Sequence, residues 1–337
     1  MEGSGERPPG ILGARRASTP DAHGDAGEPP ASGLRRDRGE YSVKWSSEGR
    51  GGGYSRARGV IESLLDAAYV GGWPARVWGA TRRSRDVREV HAEVVGPRGL
   101  RPLRVSFASD LHLGPTTSPY TLDRAFALLA AARPDVLLLG GDYVFLHASR
   151  EKARALGRRV AGVGARTTLA VLGNHDLWTT HAHLEAALTD AGARVLVNEC
   201  HRLGAPHDGV AVVGLDDPWT GRPDATTAFA GVGDARVVLV LCHAAEGLLA
   251  CAAGGHRFDL FVCGHTHGGH VATPLGAPVV PGRVGRVLVS GEHSTPAGRV
   301  LISRGVGATE LPFRAWAPPD VLHVAVVPEG GEATTGA

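Results

Sequence analysis

Methionine, cysteine, lysine and aromatic residues are all scarce in this 337-residue chain: one Met, four Cys, 5% aromatics, and lysine only at Lys44 and Lys152. The cysteines, Cys200, Cys242, Cys251 and Cys263, lack the spacing of a disulfide framework or a zinc knuckle, so a reduced compartment is expected. No uninterrupted run of about 18 apolar residues occurs, which excludes a spanning helix. No apolar stretch follows the basic residues near the N-terminus, so an export signal is not expected and a cytoplasmic location is. The formal charge of +2 is small for the length and argues against a nucleic-acid partner. What is present, 43% hydrophobic residues and 48 glycines, describes a globular chain of one large domain or two ordinary ones.

Composition divides the chain. Residues 1 to about 56 are rich in Gly, Pro, Ser, Arg and Glu with almost no aliphatic periodicity, and are expected to form a disordered tail. Met1 is the only methionine and Val60 opens the first apolar segment, so translation from a valine codon there is one reading. Residues 57–100 are a lead-in. Its run 60–80 has apolar residues at roughly helical spacing, broken by Gly71, Gly72 and Pro74. That run fits a helix packed on the domain. It also fits an interfacial segment in which Tyr69, Trp73 and Trp78, with Arg76, Arg82, Arg83 and Arg85, meet anionic lipid, a peripheral membrane contact through 60–85.

From residue 101 to about 328 short aliphatic strands alternate with turns and helices, the pattern of an α/β layered domain, and residues 329–337 read as a flexible C-terminus. Strands are expected at 103–109, 136–140, 168–172, 210–214, 236–242, 259–263, 286–290, 300–303 and 321–327. Helices are expected at 120–132, 150–161, 181–191 and 244–253.

Charged and imidazole groups recur where these strands end, the place where α/β sheets bind ligands. Asp110 and His112, at i and i+2 on extended chain, can face one ion together, although a surface turn fits the pair as well. Asp142 follows Gly140-Gly141 and could bridge two cations or cap a turn. In Gly173-Asn174-His175-Asp176, Asn174 offers a neutral carbonyl, His175 a proton donor, and Asp176 a partner for the imidazole. His243 ends another strand, and His265 and His267 repeat the i, i+2 pattern among glycines. Three oxygen donors and four imidazoles without a thiolate suit Mn, Fe or Zn better than Ca or Mg. Seven donors exceed one tetrahedral site and match two metals sharing a bridge. His270 is a further candidate to line the site, and the turn Asp216-Asp217-Pro218-Trp219 could shape a cleft.

Asp110-X-His112, Gly141-Asp142, Gly173-Asn174-His175-Asp176, His243 and Gly264-His265-Thr266-His267 resemble, in order, the five motifs of the calcineurin-like metallophosphoesterases, over about residues 101–310. Gly264-His265-Thr266-His267-Gly268-Gly269 and Ser303-Arg304-Gly305-Val306-Gly307 resemble the bacterial branch with envelope phosphodiesterases and UDP-diacylglucosamine pyrophosphohydrolases, from which His270 departs where Gln is common. The resemblance implies a four-layer αββα sandwich of two mixed sheets flanked by helices. It implies that Asp110, His112 and His267 hold one divalent metal, Asn174, His243 and His265 the other, and that Asp142 bridges them. It implies hydrolysis of a phosphodiester or pyrophosphate bond, in a lipid-linked or nucleotide-linked phosphate ester, by a metal-activated hydroxide, with His175 as acid or charge stabiliser and Asp176 beside it. A phosphomonoesterase, or a catalytically silent metal-binding protein on the same fold, is the alternative.

Overall fold

A computed structural model of the chain describes Lys44 and residues 46–330. The expected tail therefore lies outside the described residues for 1–43, but it does not extend to 56. Residues 46–52 run along the domain: Glu48 N–H and Gly51 N–H donate to Trp178 O (3.1 Å) and Leu177 O (2.9 Å), and Arg50 forms a two-pronged pair with Asp216 at 2.7 and 2.8 Å. Backbone pairing, which composition does not report, orders this glycine-rich stretch. At the other end Glu329 N–H bonds Gly96 O, so only residues 331–337 of the expected flexible end lie outside the described residues.

The lead-in is more than helical. Helix α1 (Arg56–Ala68) is capped by Ser55, whose side chain accepts from Arg58 N–H. Gly71 and Gly72 in the left-handed region (φ 73° and 66°), followed by Pro74, break it from α2 (Trp73–Gly79). Strand β1 (Arg88–Gly96) was not expected, although Val90, Ala92 and Val94 alternate with polar residues as an edge strand requires.

The remaining chain runs β2 (Leu103–Ala108), α3 (Pro119–Ala131), β3 (Val136–Leu139), α4 (Arg150–Val163), β4 (Thr167–Ala170), α5 (Asn174–Leu177), α6 (Ala182–Asp190), β5 (Ala193–Val195), β6 (Glu199–Arg202) and β7 (Val210–Gly214). It continues through α7 (Ala225–Phe229), β8 (Val237–Leu241), α8 (Gly247–Ala253), β9 (Leu260–Cys263), β10 (Gly291–Thr295), β11 (Gly298–Ile302) and β12 (Asp320–Pro328). Residues 286–290, expected as a strand, are irregular; the strand is β10, whose partner β11 is reached by a tight hairpin at Thr295–Gly298.

Two six-stranded mixed sheets result, in the orders β1-β12-β2-β3-β4-β5 and β10-β11-β9-β8-β7-β6. Period-two alternation assigns side chains to layers. Val105, Phe107, Leu138, Leu169 and Val171 of the first sheet join Val212, Leu239, Leu241, Val262 and Leu301 of the second in one central core. The alternate residues Leu137, Leu139 and Ala170 pack under α3, α4 and α6, while Val240, Phe261 and Cys263 pack under α7 and α8. This is the four-layer αββα arrangement, with β2, β3 and β4 parallel neighbours in one sheet and β8 and β9 parallel neighbours in the other. Among the described residues no helix is long and apolar enough to cross a membrane.

Candidate metal centre

The five motifs leave the C-terminal ends of these five strands and turn at once. Asp110, His112, Asp142, His265, His267 and His270 all have positive φ, between 45° and 70°, a conformation that side chains other than glycine rarely adopt. Cross-strand hydrogen bonds hold them there: Asp110 N–H to Gly141 O (2.9 Å), His112 N–H to Asp142 O (3.0 Å) and Gly264 N–H to His243 O (2.9 Å). Glycine is needed where two motifs touch. A Cβ on Gly264 would overlap Asp110 Oδ2 and Ser109 Oγ, and one on Gly173 would overlap Asp142 Oδ1.

The seven expected ligands meet in one buried cluster. Asp142 lies between its halves: Oδ2 is 3.6 Å from His112 Nε2 and 3.4 Å from His243 Nε2, while Oδ1 accepts His175 N–H at 2.9 Å. On one side His267 Nε2 is 3.1 Å from His112 Nε2 and 3.4 Å from Asp110 Oδ1. On the other, His243 Nε2 is 3.2 Å from Asn174 Oδ1 and 3.1 Å from His265 Nδ1. His243 Nδ1 lies 2.8 Å from Gly140 O and must donate to it, so in the neutral ring Nε2 carries a lone pair. Its contacts with Asn174 and Asp142 would then oppose lone pair to lone pair in a water-poor interior, an arrangement that calls for positive charge among them. A proton can supply it, and so can a cation. The donor set therefore fits divalent metal, with Asp110/His112/His267 and Asp142/His243/His265 each bringing three donor atoms within 4.8 Å of one another.

Electrostatics agree. Burial holds the imidazoles of His112, His265 and His267 below their ordinary pKa, neutral and competent to ligate. Burial would raise Asp142, but His243 and His175 outweigh it and keep the carboxylate charged. Burial likewise opposes charge on His243, yet Asp142 and then Asp110 draw a proton onto it. Burial, with Asp142 beside it, pushes Asp110 up.

The expected His175–Asp176 pair does not form. Both sit on α5, where adjacent side chains diverge, and Asp176 turns inward to accept from the N–H groups of Tyr143 (2.8 Å) and Gly173 (3.0 Å). His175 instead lies edge-on to His112 at 4.9 Å between centroids, between Phe145 and Trp178. Burial takes its pKa down to about 3, so Asp176 does not keep it charged. His270 packs against His267 at 5.5 Å, but its Nε2 is engaged by Leu311 O at 3.0 Å.

Several site residues escaped the sequence reading. Arg58 of α1 brings Nη2 to 3.4 and 3.5 Å from the two ring nitrogens of His175, and its Nη1 pairs with Glu310 at 2.9 Å. Arg314, buried, donates to the carbonyls of Gly307 and Arg304 and lies 2.9 Å from His267 Nδ1, a contact that competes with an ion at Nε2 for the same ring. Trp219, which the sequence reading did place in a turn that could shape a cleft, lies against His265 at 4.5 Å between ring centroids. Arg58 and Arg314 carry no local motif; only distant chain crossings place them here.

The profile of the calcineurin-like phosphoesterases matches residues 103–269. Phosphodiesterase YaeI of Escherichia coli (strain K12) is 31% identical over 212 residues, 61% of this chain and 76% of YaeI. YkuE of Bacillus subtilis (strain 168), named an uncharacterized metallophosphoesterase, is 24% identical over 228 residues, 67% of this chain and 79% of its own length. Among solved structures, TT1561 of Thermus thermophilus aligns over 61% of this chain and 91% of its own at 12% identity, with a TM-score of 0.42. The chain belongs to the calcineurin-like phosphoesterases, enzymes that hydrolyse phosphoric esters with divalent metal ions.

Proposed function

We propose that this enzyme hydrolyses a phosphodiester or pyrophosphate bond with two divalent cations, of Mn, Fe or Zn, held at the strand ends. The convergence of six donors, three on each side of Asp142, carries this reading. Asp110, His112 and His267 would hold one ion, Asn174, His243 and His265 the other, and Asp142 would join them. Two ions so held would supply Lewis acidity to the phosphoryl group and would lower the pKa of water toward neutrality.

The chain's own groups orient and exclude. Gly140 O fixes the His243 tautomer, the His175 backbone N–H fixes Asp142, and Phe145 and Trp178 shield the His175 ring from water. His175, next to the cluster but outside the seven, is the group placed to donate a hydrogen bond to the leaving oxygen; it would become a proton donor where the negative charge of a bound phosphate raises a pKa that burial takes down to about 3, without help from Asp176. A diester is favoured because YaeI, at 31% identity, is named a phosphodiesterase. The lead-in leaves Ile61, Leu64, Val70, Trp73 and Val77 exposed, with Arg76, Arg82, Arg83 and Arg85 nearby in sequence, which supports peripheral contact with anionic lipid and a lipid-linked substrate.

The test is turnover of bis(p-nitrophenyl) phosphate against p-nitrophenyl phosphate by chelated enzyme resupplied with Mn, Fe or Zn. Metal-dependent preference for the diester is expected. Preference for the monoester would make the protein a phosphomonoesterase, and no turnover with any ion would leave a silent metal-binding protein.

A further inference from the structure

Arg58 is a cation with an unfinished set of contacts. It comes from α1, outside the matched family segment, and reaches the ring of His175. Its Nε donates to Glu62 Oε1 at 2.8 Å and its Nη1 to Glu310 Oε1 at 2.9 Å. Glu62 is itself held by the Tyr54 hydroxyl at 2.8 Å. These bonds lock the guanidinium plane. They leave Nη2, which reaches the two ring nitrogens of His175 only at 3.4 and 3.5 Å, long for a charge-assisted bond, while the guanidinium carbon lies 5.4 Å from the Trp178 ring centroid. Beyond these two long contacts Nη2 makes no further hydrogen bond among the described residues, and the side chain is 23% exposed.

A locked guanidinium with one edge engaged only by long contacts, next to a cluster that takes phosphate esters, matches the geometry by which arginine binds phosphate oxygens. We propose that Arg58 is a phosphate-binding residue of this site, its Nη2 N–H groups meeting a non-bridging oxygen of the substrate phosphate beside His175. This rests on the phosphoester-hydrolysis reading above. Glu62 and Glu310 are positioning residues: they hold the fork and carry two of its N–H groups, so that the remaining edge is presented without rotamer loss on binding. The lead-in then contributes to catalysis and is more than a packing helix.

The experiment measures binding of inorganic phosphate by calorimetry to the full-length, metal-loaded protein, alongside diester turnover. Arg58→Ala is expected to weaken phosphate binding about 10–100-fold, the worth of one charge-assisted hydrogen-bonded contact. Glu310→Gln weakens one of the two tethers but keeps the guanidinium and its bond to Glu62, and is expected to weaken phosphate binding by only about two- to fivefold, clearly less than Arg58→Ala. Arg58→Lys, which keeps the charge and loses the fork, is expected to fall between, and it serves if Arg58→Ala does not fold. Unchanged phosphate affinity in the Arg58 variants, or equal losses in Arg58→Ala and Glu310→Gln, would overturn the proposal and leave Arg58 a tether. If wild type itself neither bound phosphate nor hydrolysed the diester, the reading of the function would fall first, and Arg58 with it.

Discussion

Replacing Asp142 by Asn tests the centre at its middle. The residue is 1% exposed, and its two carboxylate oxygens have different duties. Oδ1 accepts His175 N–H, so the amide oxygen of an Asn must take that place, and Nδ2 must take the place of Oδ2, facing His112 and His243. The variant thus loses both the charge and the donor lone pair where two cations would meet, and presents N–H groups there instead. Removing one partner of a buried charge pair costs about 3–5 kcal/mol, which corresponds to about 10²–10⁴-fold in metal affinity. Asn nearly preserves volume, so the metal-free variant should fold, with the far-ultraviolet circular dichroism of wild type. The assay is metal content by elemental analysis after dialysis against graded chelator, followed by diester turnover. At least one ion should be lost at chelator levels that wild type withstands, with turnover nearly abolished. Two ions per chain at wild-type affinity, with activity retained, would refute the bridging role.

Gly264→Ala drives a methyl group into Asp110 Oδ2 and Ser109 Oγ, and should weaken one ion about 10–100-fold while leaving the circular dichroism intact; unchanged metal retention would show that Asp110 is not a ligand. His175→Ala should keep both ions and lose about 10²–10⁴-fold on esters with poor leaving groups, but much less on a p-nitrophenyl ester. Equal losses on both would point away from proton donation, and loss of an ion would make His175 a ligand alongside His112 and Asp142. For Glu310, burial would raise the pKa, but Arg58 and His175 outweigh it and bring it to about 2, from an ordinary 4.5. A depressed carboxyl contributes stability that is present above its unfolded pKa and lost as pH falls through the folded one. The stability difference between wild type and Glu310→Gln in urea should therefore shrink between pH 4.5 and about 2, and a constant difference would contradict the pairing.

By itself the sequence determined the strands of the domain centre, because Val136–Leu139, Val237–Leu241 and Leu260–Cys263 are aliphatic runs that only burial on both faces explains. The candidate ligands were legible for the same reason: each motif directly follows a strand, so position in the chain reports position at the sheet end. Contacts between distant segments were not legible. That Asp176 faces Tyr143 and Gly173 follows from the 100° step of a helical turn, which the five-residue string does not announce. The ordering of residues 46–55, the pairing of β1 with β12, and the arrival of Arg58 and Arg314 beside His175 and His267 depend on which surfaces the folded domain offers to a passing chain. Periodicity records how a segment buries itself against a layer. Which charged side chain then reaches across the layer's edge is decided only when the tertiary structure brings the two ends together.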